Sequence, residues 1–167
     1  PSSAASDVYK RQAQGLKRGT DGLKVHLMCE IPNNVLLLEQ FAPLVDGISI
    51  GSNDLTQLIL GVDRDSALVA SAFDERDPGV LKMLQQAVEG AKALGLHCGI
   101  CGQAPSDHPD LLDRLVHWGI DSLSVTPDRL LPTLQRVREA ESRLGRSPRC
   151  LATALDQPTP TALQPVG

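Results

Sequence analysis

The chain has 167 residues and a net charge of −4, with 41% hydrophobic and 22% charged residues, proportions that suit one globular domain with a real core. One Trp, one Tyr and two Phe offer few platforms for base stacking, and Lys and Arg are scattered, so no nucleic-acid partner is expected. The longest apolar runs, such as Leu58 to Val62, are too short to cross a bilayer, and no charged-then-apolar signal opens the chain, so no membrane partner is expected either.

Four cysteines spread over this length suggest reduced thiols and a cytosolic (cytoplasmic) location. The first residue is Pro1 rather than Met, which suggests a fragment, a processed product or an incomplete reading frame. Residues 1–14 lack periodicity, and residues 146–167 are rich in Pro, Thr, Ala and Gln. Neither end carries enough apolar surface to offset its ordering entropy, so both are expected to be disordered around a domain at 15–145.

Within that span one unit recurs. An apolar run from Lys24 to Ile31 meets Pro32 and Asn33, which punctuate entry into a helix over Val35 to Phe41. A second strand, Gly47 to Gly51, leads through Ser52 and Asn53 into a helix over Asp54 to Leu60, with Leu55, Leu58 and Ile59 on one face. A long helix from Pro78 to Leu94 precedes the third strand, Leu96 to Cys101. The fourth, Ser122 to Val125, runs into Thr126-Pro127, an N-cap followed by Pro at the first helical position. The last helix follows, with Pro132 as a potential kink.

Strands alternating with helices predict an α/β fold with a parallel sheet. Four units amount to half of a (β/α)₈ TIM barrel, which takes about 250 residues, and a doubly wound sheet is the alternative. The position of the polar residues favours the half barrel, because Glu30, Asn53, Asp54 and Cys101 fall at C-terminal strand ends, where barrel chemistry converges.

Glu30 ends an apolar strand, where an unpaired carboxylate is costly. Asp54, beside Ser52 and Asn53, opens a helix. It could cap that helix or ligate a cation, and on its own the two readings balance. Together with Glu30 the balance moves toward Mg²⁺. Cys98 and Cys101 form a CxxC, but residues three apart on a strand face opposite ways. Cys98 is therefore expected in the helix layer and Cys101 at the pocket, and by the same alternation Glu30 points inward and Cys29 outward. Arg64 could fork onto a phosphate or pair with Asp63 or Asp65 in solvent, and spacing alone favours the ion pair. The charged excursion Phe73 to Asp77 reads as solvated, with a lid or binding loop as the alternative. His26, His97, His108 and Trp118 read as structural, and His108 lies nearest the mouth.

The segments MCEIPNN (Met28 to Asn34), GISIGSNDLTQLILGVDRDS (Gly47 to Ser66) and GICGQAPSDHPD (Gly99 to Asp110) resemble the phosphoenolpyruvate-utilising enzymes, over about Gly15 to Glu139. Within that group FDER (Phe73 to Arg76), and CGQ followed by PSDHPD, resemble the synthase branch; the other branches usually carry CGE. The resemblance implies a barrel that binds pyruvate and phosphoenolpyruvate at the C-terminal end of a longer enzyme. Such an enzyme converts pyruvate, ATP and water to phosphoenolpyruvate, AMP and phosphate through a phosphohistidine. It implies Glu30 and Asp54 as Mg²⁺ ligands, Asn53, Asp54, Arg64 and Ser52 around the substrate, and Cys101 as the acid/base at the substrate methyl carbon. The ATP-binding and phosphohistidine domains, and the first barrel strands, have no counterpart in the sequence. The chain alone is thus expected to be inactive and, with open strand edges, to self-associate. The competing readings are a non-catalytic half-barrel interaction module and another Mg²⁺-dependent enzyme of 2-oxo acids or enolates.

Overall fold

The computed structural model describes residues 14–20 and 22–146, so the expectations of disorder over 1–13 and 147–167 lie outside the described residues. Four parallel strands form one sheet in the order β1-β2-β3-β4. They are β1 (His26–Cys29), β2 (Gly47–Gly51), β3 (His97–Cys101) and β4 (Ser122–Leu123). The helices are α1 (Pro32–Leu36), α2 (Leu38–Phe41), α3 (Ser52–Leu60), α4 (Pro78–Ala93), α5 (Ala104–Asp107), α6 (Pro109–Trp118) and α7 (Leu130–Arg143). A four-stranded parallel sheet alternating with helices, in sequential strand order, is consistent with part of a (β/α)₈ barrel.

Alternation along each strand makes two unlike faces. One face carries Cys29, Ile48, Ile50, Cys98 and Ile100, all buried with Leu55, Val80, Leu84, Val88, Leu111 and Leu115 from α3, α4 and α6. Each of the large aliphatic side chains contributes about 1.5–3 kcal/mol by leaving water. The helix α4 starts where the sequence predicts: Pro78 occupies the first turn, and Asp77 Oδ1 accepts from Gly79 N at 2.7 Å.

The other face carries His26, Met28, Gly47, Ser49, Gly51, His97, Gly99 and Cys101. Registration pairs His26 with Gly47 and Gly47 with His97, so large and small side chains alternate across the strands. A Cβ on Gly47 would lie 2.9 Å from His26 Cε1 and 2.7 Å from the His97 carbonyl oxygen. Glycine is what allows the two imidazoles to approach with centroids 5.2 Å apart. Met28 is 43% exposed on this face, which no described element covers.

Several local expectations differ from the structure. The first helix begins at Pro32 and breaks at Leu37 (φ −113, ψ 25), giving α1 and α2 in place of one helix from Val35. Leu58 is 49% exposed, because Leu55, Thr56 and Ile59 form the stripe against the core and Leu58 falls beside it. β4 is only Ser122–Leu123, paired with Gly99 and Ile100 of β3, shorter than the Ser122 to Val125 expected. The Thr126 side chain caps no backbone N–H, although its carbonyl accepts from Arg129 N at 2.9 Å; its hydroxyl bonds the Asp128 carboxylate and helps hold it below the usual range. Pro132 lies in the first turn of α7, where N–H groups have no helical acceptor, and the helix runs on to Arg143.

Candidate active site at the C-terminal strand ends

Glu30 follows β1 directly, and its position is fixed by Asn34. The buried Asn34 amide oxygen accepts from the backbone N–H of both Glu30 and Ile31 at 3.3 Å, reaching back over the start of α1. Next to it, Gly51 ends β2. A Cβ there would lie 3.1 Å from Glu30 Cβ and 3.3 Å from Glu30 Oε2, so the absent side chain makes room for the carboxylate. Asp54 stands in the first turn of α3, immediately beyond. Two hard oxygen donors from adjacent strand ends fit Mg²⁺, which takes one or two carboxylates and fills its remaining positions with water and substrate. Among the described residues no group of three or more His, Cys, Asp or Glu is placed to hold a metal, so an all-protein cage is not the arrangement here.

Arg64 returns to this same end. Gly61 adopts a left-handed conformation (φ 66) after α3 and turns the chain back. Gln57 Oε1 then accepts from the Arg64 N–H at 3.3 Å, and a guanidinium nitrogen comes to 3.9 Å from Asp54 Oδ1. The expected pairing with Asp63 or Asp65 is replaced by this contact. Asn53 lies between Arg64 and Glu75. The carboxylate only accepts and the guanidinium only donates, which sets the amide orientation. Its nitrogen donates to Glu75 Oε1 at 3.1 Å, and its oxygen accepts from Arg64 at 3.1 Å.

Cys101 ends β3 and is partly exposed, with the Ser49 hydroxyl donating to its Sγ at 3.4 Å. Cys98 lies in the opposite layer, as alternation predicts, and burial pushes both its thiol and that of Cys29 up to about 12. All three described cysteines are free, and the CxxC pair is divided between two faces of the sheet. Ser52 is fully buried, and its hydroxyl bonds the Glu75 carboxylate. Gly102 (φ 125) passes so close that an added Cβ would overlap Ser52 Oγ.

Two members were not singled out from the sequence. Ser49 had a legible signal, since it shares the Gly51 and Cys101 face by alternation. Glu75 sat in a run read as solvated, yet its side chain is only 5% exposed, with His108 Nε2 at 3.9 Å. His108, the histidine nearest the mouth, therefore touches the cluster through Glu75. A groove of about 1290 Å³ lies away from these residues, along β4 and α7. Its apolar lining of Leu123, Val125, Leu134 and Val137 marks an uncovered flank, whereas the polar side chains suited to chemistry converge at the strand ends.

Residues 4–142 match the family described as PEP-utilising enzyme, PEP-binding domain. The chain belongs to this family. Phosphoenolpyruvate synthase of Synechocystis sp. is 52% identical over 145 residues, covering 87% of this chain and 18% of the relative. Phosphoenolpyruvate synthases of Escherichia coli strain K12 and Pseudomonas aeruginosa are each 57% identical over 130 residues. Those matches cover 78% and 77% of this chain and 16% of each relative. The PEP-binding domain chain thus spans less than a fifth of the length of the curated relatives it matches. No helix among the described residues is long and apolar enough to cross a membrane.

Proposed function

We propose that the chain is the C-terminal portion of a phosphoenolpyruvate synthase (pyruvate, water dikinase), a transferase, and that it carries the Mg²⁺-dependent pyruvate and phosphoenolpyruvate site. One observation carries this reading: groups suited to hold a cation, a phosphate and a proton all stand at the same end of three adjacent strands. They belong to a chain more than half identical to phosphoenolpyruvate synthases. Free thiols at Cys29, Cys98 and Cys101 agree with a cytoplasmic setting.

In this reading Glu30 and Asp54 hold Mg²⁺. When bound, the ion supplies an electrophile for the carboxylate and keto oxygens of pyruvate, lowering the cost of removing a methyl proton. Cys101, as thiolate, takes that proton and returns it in the reverse direction, and the Ser49 hydroxyl steadies the negative sulfur. Arg64 and Asn53 hold the phosphate end, Arg64 by charge and Asn53 by fixing the guanidinium. Ser52, buried beneath, supports that pair. Domains that bind ATP and carry the phosphohistidine lie outside the 167 residues, so the full reaction requires them and the chain alone is inactive.

A chimera tests this directly. The chain replaces the corresponding segment of the Escherichia coli relative, and ATP- and pyruvate-dependent phosphoenolpyruvate formation is measured. Activity is expected in the chimera and its loss in Glu30→Ala and Cys101→Ala. A folded, inactive chimera, or an active Cys101→Ala variant, contradicts the assignment.

A further inference from the structure

Glu75 is a carboxylate in a place that does not favour charge. It is 5% exposed, and its ion-pair partner among the described residues is His108 at a distant 3.9 Å. Burial raises its pKa above the ordinary carboxylate value, opposed by the Ser52 hydrogen bond and His108. A residue serving only to fill this space would cost less as an uncharged side chain. What the charge does supply is direction. Asn53 can present either end of its amide to Arg64, and only the oxygen end is attractive. A neutral amide at position 75 accepts or donates equally well and leaves that choice open; a carboxylate accepts only.

We propose that Glu75 is a positioning residue for the phosphate end of the site. It locks the Asn53 amide with nitrogen inward and oxygen outward, and so holds Arg64 where it meets a substrate phosphate. The geometry is a three-member relay, with 3.1 Å from Glu75 Oε1 to the Asn53 nitrogen and 3.1 Å from the Asn53 oxygen to Arg64. Gln57 restrains the Arg64 backbone at 3.3 Å from the other side. Ser52, whose hydroxyl also bonds Glu75, ties the relay to the start of α3. The ligand class, a phosphorylated enol carboxylate, rests on the functional reading above. The relay itself does not.

The test uses the full chain, Glu75→Gln and Asn53→Ala. Nitrogen-15 NMR of the Asn53 side-chain amide reports the relay without any ligand. One amide proton is expected downfield and slow to exchange in the parent chain, with that signature lost in Glu75→Gln. Calorimetry with Mg²⁺ then compares phosphoenolpyruvate with oxalate, which has no phosphate. Glu75→Gln is expected to weaken phosphoenolpyruvate about ten-fold, the scale of one charge-assisted hydrogen bond, and to leave oxalate within about two-fold. In the Asn53→Ala background the same substitution is expected to add nothing. An unchanged Asn53 signature in Glu75→Gln, or parallel losses for both ligands, would overturn the relay. Failure of the parent chain to bind either ligand counts against the functional reading, and the amide signature then decides the relay alone.

Discussion

Gly102→Ala is the perturbation whose cost the structure specifies most closely. Gly102 has φ 125, and an added Cβ would overlap Ser52 Oγ and lie 3.3 Å from the Asn53 amide nitrogen. Ser52 is fully buried, so its hydroxyl has no solvent to move into without leaving Glu75. Backbone strain at such a φ costs roughly 2 kcal/mol, and crowding a packed site costs roughly 2 kcal/mol more. The expected total, about 4 kcal/mol, is a large share of the roughly 5–15 kcal/mol that stabilises a domain. Gly95→Ala is the control, with φ 69 but nothing within 4 Å of the new Cβ, so it carries conformational strain of only about 1 kcal/mol. Urea titration followed by the fluorescence of Trp118, the single tryptophan, reads both variants. Equal midpoints for the two variants would refute the claim that Ser52 and Asn53 are held against the end of β3.

Thiol reactivity should divide by face. Iodoacetamide at pH 8 is expected to modify Cys101 while Cys29 and Cys98, raised to about 12, stay unmodified until urea is added; equal labelling of Cys29 and Cys101 by mass spectrometry would contradict this. Because burial lifts both buried thiols from 9.0 to about 12, their contribution to stability is complete below about pH 9 and is lost as pH rises toward 12. The urea midpoint is therefore expected to fall between about pH 9 and 11, less steeply in Cys29→Ala, and a flat profile would count against it. Glu75 is likewise raised by burial, so its contribution is present below the ordinary 4.5 and lost as pH climbs through the raised value. Glu75→Gln at pH 7 should then be at least as stable as the parent chain, and a loss above about 1 kcal/mol would show that the carboxylate stabilises the fold. The edges of β1 and β4, unpaired among the described residues, and the Met28 face that no described element covers predict concentration-dependent self-association in sedimentation velocity, and a monodisperse, cooperatively melting monomer would speak against it.

The strand–helix alternation was legible because its signals are local: a run such as GISIG can hardly be anything but a buried strand, and Asp77-Pro78 marks a helix start on its own chemistry. The division of Cys98 and Cys101 between two faces followed from period two alone. Element ends were less legible. The break at Leu37 and the two-residue β4 depend on what packs alongside, which periodicity does not encode. Glu30, Asn53, Asp54 and Cys101 stood out by their place at strand ends. Glu75 did not, because FDER looks like any solvated charge run until the excursion folds back over α3 and buries one of its carboxylates. Arg64 shows the same limit: sequence neighbours offered Asp63 and Asp65, and the turn at Gly61 gave it Asp54 and Asn53 instead.

The central claim is that Glu30 and Asp54 form a working Mg²⁺ site for a pyruvate-like dianion. Calorimetric titration of oxalate, a mimic of the pyruvate enolate, into the purified chain with and without Mg²⁺ tests it most directly, with Glu30→Ala alongside. Binding that requires both Mg²⁺ and Glu30 is the predicted result. Binding that persists without the metal, or that survives in Glu30→Ala, would contradict the account, as would a folded chain that takes up no oxalate at all.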